Sequence, residues 1–108
     1  MQYGLTLKNI KKINQIFGKF KEVEEAVLYG SRAKGNYKPG SDIDIVLKGK
    51  KLNLRLLNRI DIDLDDLLLP YTFDMSIYDH ISNQDLRDHI QRVGKVLYKK
   101  NAAQPGSK

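Results

Sequence analysis

Asp42 and Asp44 lie in an alternating stretch, 41–48, where Ile43, Ile45 and Leu47 take one parity and Asp42, Asp44 and Val46 the other. Alternation predicts a strand, and side chains at i and i+2 of a strand leave the same face, their Cα atoms about 6.6 Å apart. Neighbouring carboxylates repel each other unless one is protonated or a cation lies between them. Magnesium suits such a pair, because it takes a few carboxylates and completes its octahedron with waters and substrate phosphates. Asp74 stands in a second alternating stretch, between Phe73 and Met75, and so faces away from the core those two residues enter. Three carboxylates from two strands meet the needs of two-metal phosphoryl transfer, in which one ion activates the attacking hydroxyl and the other steadies the leaving pyrophosphate. Asp74 is the candidate base, or the ligand of the metal beneath the nucleophile.

The apolar run Ala26-Val27-Leu28-Tyr29 breaks at Gly30-Ser31. A strand that stops at a glycine and enters a helical turn exposes backbone N–H groups suited to phosphate oxygens. Glycine lets the phosphate approach, the Ser31 hydroxyl can donate to it, and Arg32 or Lys34 can neutralise its charge. A lone Gly-Ser turn is far more often structural, and a lone Asp-x-Asp is usually a surface strand or turn. In this order, on a strand–turn–strand frame, the parts reinforce one another.

The elements that must position them follow from periodicity. Leu7, Ile10, Ile13, Phe17 and Phe20 recur at helical spacing behind Thr6, predicting a helix over 6–20. A buried strand follows at 24–29, then a loop punctuated by Gly35, Pro39 and Gly40, then the strand at 41–48. Leu56, Leu57, Ile60, Leu64 and Leu67 predict a helix over 52–68, closed by Pro70. Phe73, Met75 and Ile77 predict a third strand. Ser82 and Asp85 resemble a capping box opening a helix through Leu86, Ile90 and Val93, and Val96-Leu97-Tyr98 reads as a short edge strand. The expected fold is α+β, an α/β sandwich with a small mixed sheet flanked by helices. One domain spans 1–100, and 101–108 is expected to be a disordered tail.

Gly30-Ser31, ten residues, then Asp42-Ile43-Asp44 resembles the signature of DNA polymerase β-like nucleotidyltransferases. More closely, GSRAKGNYKPGSDIDIVL resembles the minimal nucleotidyltransferase branch of HEPN/MNT toxin–antitoxin type, with Lys34 where arginine is common. The resemblance covers most of 5–98 in layout, and its specific part is 29–47 plus Asp74. It implies Mg²⁺ (or Mn²⁺) on Asp42, Asp44 and Asp74, and the triphosphate of ATP held by residues matching Gly30 and Ser31. It further implies an antitoxin that transfers AMP to a tyrosine of a small all-helical HEPN toxin. An alternative from another class is a nucleotide-binding antitoxin that neutralises its partner by complex formation without catalysis.

Composition narrows the field. In 108 residues there is room for one modest core and no second, acceptor-binding domain. The absence of cysteine excludes disulfides, zinc–thiolate sites and thiol catalysis, and is compatible with the expected cytoplasmic location. No apolar run predicts a signal peptide or a bilayer span, which needs about 20 apolar residues. The net charge of +6 is concentrated in residues 1–40, with eight Lys/Arg against three Asp/Glu, and favours phosphate-bearing ligands. Nucleic-acid binding ranks last, since neither interleaved aromatics nor a recognition helix is evident. Homo-oligomerisation is left open.

Asp61-Ile62-Asp63 repeats the Asp-x-Asp spacing inside a helical pattern, where residues two apart diverge by about 200° and do not easily share a metal. With Asp65 and Asp66 it reads as a solvated acidic face. His80, His89 and the six tyrosines read as packing or surface residues.

Overall fold

Helix α1, Leu7–Gly18, starts at Thr6, whose Oγ1 accepts from the Asn9 backbone N–H at 3.1 Å. That bond answers one of the N–H groups a helix start leaves unpaired. Ile13, Ile16 and Phe17 carry its stripe into the core, whereas Leu7 in the first turn is 69% exposed. The chain continues through β1 (Glu25–Tyr29), the short helix α2 (Gly30–Lys34), β2 (Ile43–Lys48), α3 (Leu54–Asp65), β3 (Phe73–Ile77), α4 (Gln84–Val93) and β4 (Lys95–Lys99). This computed structural model describes residues 2–100; the tail expected at 101–108 lies outside them.

The strands form one sheet in the order β3-β2-β1-β4. β1 runs antiparallel to both β2 and β4, while β2 and β3 are parallel. A parallel pair needs a crossover connection, and α3 supplies it. The period of two divides the apolar side chains between two faces. On one face Ala26, Leu28, Ile43, Ile45 and Leu47 meet Ile13 and Phe17 of α1 and Ile60 and Leu64 of α3. On the other, Val27 and Val46 meet Ile90 of α4, with Tyr29, Tyr78 and Leu86 around them. Helices on both faces explain why Ala26, Val27 and Leu28 are all buried although they alternate. The result is the α+β mixed sheet flanked by helices that the sequence predicts.

Differences lie at element ends. α3 is shorter than 52–68 because Asn53 caps it, its Oδ1 accepting from the Leu56 N–H at 2.9 Å. The helix ends before Leu68, which adopts a left-handed φ of 56°. β2 starts at Ile43, leaving Asp42 one residue ahead of the strand. The α4 cap is Asn83, not Ser82: its Oδ1 accepts from the Leu86 N–H at 3.1 Å. A single 3₁₀ turn, Tyr78–His80, between β3 and α4 has no signal in the periodicity. No helix among the described residues is long and apolar enough to cross a membrane.

The cap assignment is testable by thermal or denaturant unfolding. Asn83→Ala should cost about 1 kcal/mol, whereas Ser82→Ala should fall within about 0.5 kcal/mol of the parent.

Candidate active site

The end of β1 makes the tightest turn of the site. Tyr29 is extended, and Gly30 then takes φ 75° to open α2. A Cβ at Gly30 would collide with Oδ2 of Asp44, so both the backbone angle and the room demand glycine. Ser31 follows in the first turn of α2. The helix closes on Gly35, φ 88°, whose N–H donates to the Ser31 carbonyl at 2.9 Å.

Strand register aligns the acidic residues. Tyr29 pairs with Asp44 across the antiparallel ladder, and Asp44 with Asp74 across the parallel one. Asp44 and Asp74 therefore stand side by side on the face that α4 only partly covers. Asp44 is half-buried, while Asp74 and Asp42 are exposed. Burial pushes the Asp44 carboxyl above the usual range, and the charges of Asp74 and Asp42 add to that; Arg32 and His89 oppose it. The phenol of Tyr29 is also raised, first by burial and further by Asp44 and Asp74, against a hydrogen bond with Ser76.

Among the described residues, no group of three His, Cys, Asp or Glu side chains forms a ready-made cage for an ion. The three aspartates form an open rim of concentrated negative charge. That arrangement fits a cation drawing its remaining ligands from water and a phosphate group, as magnesium does.

Arg32, expected beside Ser31 as a phosphate ligand, is tied in this structure to the protein's own backbone. It is only 3% exposed. Its Nε and Nη2 both donate to the Ser41 carbonyl, at 3.1 and 2.8 Å, and its Nη1 donates to the Tyr3 carbonyl at 2.9 Å. The guanidinium carbon lies 5.3 Å from the Tyr37 ring centre and 5.1 Å from that of Tyr71. A planar fork with aromatic partners suits arginine. Arg32 thus fixes the loop that delivers Asp42, the residue after Ser41. Lys34 is exposed.

A second correction concerns Asp61. α3 does point Asp61 and Asp63 apart, but Asp61 is not on an open face. With Leu57 and Asn58 it lines a cavity of about 230 Å³ whose other wall is Phe73, Asp74 and Met75 of β3. Burial, followed by the charge of Asp65, raises its carboxyl. Only the packing of α3 on β3, which a helical pattern does not encode, reveals this. His89 places its ring edge-on to Tyr29, with centres 6.2 Å apart, while His80 is exposed in the 3₁₀ turn. A larger cavity, about 620 Å³, is lined by lysines and glutamates such as Lys48, Lys99 and Glu25. It sits at the opposite end of the sheet from the aspartates.

This frame belongs to a known class. Residues 11–103 match the family described as polymerase beta, nucleotidyltransferase, and the chain belongs to that family. The fold is also that of a chain in a toxin–antitoxin crystal structure with AMP-PNP (TM-score 0.70, 21% identity, 88% of this chain and 77% of the other). It is likewise that of a chain in the tri-AMPylated Shewanella oneidensis HEPN toxin in complex with MNT antitoxin (TM-score 0.64, 18% identity, 90% and 75%). A chain of the MntA-HepT toxin–antitoxin structure is similar (TM-score 0.65, 18% identity, 91% and 76%). No curated protein is significantly similar in sequence.

Two outcomes follow for the site. Arg32→Lys should cost about 2–3 kcal/mol in denaturant unfolding, because an ammonium cannot bridge both carbonyls and keep its aromatic contacts. Asp44→Asn should raise the melting temperature of the metal-free protein at pH 8. A carboxyl whose folded pKa is raised loses stability as pH climbs from its unfolded pKa through its folded one. The advantage of the asparagine should therefore shrink as pH falls through that window and disappear below it.

Proposed function

We propose that the chain is a metal-dependent nucleotidyltransferase that moves AMP from ATP to a tyrosine hydroxyl of a small helical HEPN-type protein, and so acts as its antitoxin. The observation that supports this reading best is the register placing Asp44 beside Asp74 and directly against Gly30. It joins an acidic rim and a glycine-serine turn at one end of the sheet. The family supplies the reaction class. The complexes with AMP-PNP and with an AMPylated HEPN toxin share the fold, and motivate the choice of nucleotide and acceptor.

In this reading Gly30 leaves the turn open, so that backbone N–H groups and the Ser31 hydroxyl reach the β- and γ-phosphates. Asp42, Asp44 and Asp74 would hold magnesium or manganese, which when bound neutralises triphosphate charge and makes a nearby hydroxyl more acidic. Asp74, on the edge strand and exposed, receives the proton of the acceptor hydroxyl. The hydroxyl oxygen forms a bond to the α-phosphorus in line with the bond to the β-phosphate oxygen. That bond breaks, and pyrophosphate leaves. Holding the two reactants in line can contribute about 7–11 kcal/mol. Asp42 and Asp74 are exposed, so a docked protein acceptor, presenting its hydroxyl from a fixed surface, supplies much of that positioning.

With α-labelled ATP and Mg²⁺, label should appear on the co-expressed helical partner, on tyrosine. It should vanish in Asp42→Asn/Asp44→Asn and in Ser31→Ala/Asp44→Ala. Asp74→Ala should lower kcat by at least about a hundredfold while changing ATP affinity little. If the partner gains no mass yet the Asp42→Asn/Asp44→Asn chain still neutralises it, neutralisation is by binding alone and the catalytic reading is wrong.

A further inference from the structure

The outward face of α3 carries its charges in an order that works against the helix. Its exposed residues are Leu54, Arg55, Asn58, Arg59, Ile62 and Asp65, with Asp66 at the C-cap. The peptide dipole leaves partial positive charge at a helix start and partial negative charge at its end. Acidic side chains therefore suit the first turn and basic ones the last, yet α3 has neither. Arg55 stands in its first turn instead, and Asp65 and Asp66 close it. Like charges also adjoin at i and i+4, Arg55 with Arg59 and Asp61 with Asp65, which costs further stability. The same face is apolar between its charges. Leu54 is 62% exposed, Ile62 57%, and Leu68, just past the helix, 87%. Leu68 also holds a left-handed φ of 56°, an uncommon conformation for a bulky residue. Exposed apolar side chains rimmed by charge mark a contact surface.

The charge order selects the occupant. A second α3 turned end for end sets acid opposite base and base opposite acid, so this one surface complements itself. A parallel neighbour would set like against like. We infer that two copies of this chain pair through α3, antiparallel about a two-fold axis near Asn58 and Ile62. Arg55 and Arg59 of each copy then face Asp65 and Asp66 of the other, and Leu54 comes level with the other copy's Leu68. Each helix end also meets an end of opposite partial charge, so the pairing offsets the unfavourable charge order within each helix. A 12-residue helix is about 18 Å long, which keeps the buried area small. The dimer is therefore weak, with a Kd on the order of 100 µM.

Sedimentation of the full chain, from about 5 µM to about 1 mM, spans the expected Kd. The parent should pass from monomer to dimer. Arg55→Glu/Arg59→Glu and Asp65→Lys/Asp66→Lys should each weaken the dimer at least about tenfold, because like charges then face each other. An equimolar mixture of the two variants should restore it as a heterodimer, with glutamate facing lysine at one end and aspartate facing arginine at the other. Melting of each variant, measured dilute enough to be monomeric, should match or exceed the parent's, since the new charges suit the helix dipole. A lost dimer is then not a lost fold. A parent still monomeric at the highest concentration overturns the inference. So does a dimer that either double variant leaves untouched, which puts the interface elsewhere, and so does a mixture that fails to associate. If the parent is monomeric and the same variants instead lose the helical partner, the face belongs to that protein. None of these readouts involves nucleotide, so the function proposed above stands or falls separately.

Discussion

A guanidinium withdrawn from water must have its donors answered, and the fold meets that demand for Arg32 by drawing three separate segments around it. The N-terminal turn offers the Tyr3 carbonyl, the loop before β2 offers the Ser41 carbonyl, and Tyr37 and Tyr71 face it as aromatic neighbours. Left unanswered, the charge would be costly to bury. Satisfied, it pins a loop that contains Pro39 and Gly40 and would otherwise be free to move. Asp42 follows Ser41 directly, so the clamp sets where the first aspartate stands relative to β2. Asp44 is then placed by the strand itself, and Asp74 by the parallel register of β3. Acidic rim and glycine-serine turn are thus held by one buried cation and one ladder of backbone hydrogen bonds.

Repulsion is the counterpart of that rigidity. Asp44 is raised by its own burial and by two like charges, and the phenol of Tyr29 is raised beside them. Groups held in an unfavourable ionisation state at one sheet end mark a site built for something other than stability. The opposite end of the sheet carries the other sign in excess, six lysines among three glutamates around its cavity. The fold therefore directs its anionic character to the place where β1 breaks into α2, where an arriving cation would relieve it.

Much of this was legible in the residues. Strand parity correctly separated Asp44 from Ile43 and Ile45, and put Asp74 on the face opposite Phe73 and Met75. The helical pattern of 52–68 correctly predicted that Asp61 and Asp63 diverge. What periodicity does not encode is partnership. Arg32 reads as a phosphate ligand from its place after Gly30-Ser31, because the carbonyls and rings that bury it lie up to 39 positions away. Asp61 reads as solvated because nothing in α3 announces that β3 packs against that side. Helix ends were displaced for a local reason, the choice of Asn53 and Asn83 as caps, which competing Ser and Leu residues nearby obscure.

The central claim is that a metal–nucleotide complex is gathered by Asp42, Asp44 and Asp74 beside Gly30 and Ser31. Paramagnetic broadening tests it most directly: substoichiometric Mn²⁺ is added to the labelled chain with AMP-PNP, and the loss of each resonance is followed. Broadening should centre on Asp42, Asp44, Asp74, Gly30 and Ser31 and decline with distance along β2 and β3. Broadening centred on Asp63, Asp65 and Asp66, or on the glutamates at the far end of the sheet, would contradict the account.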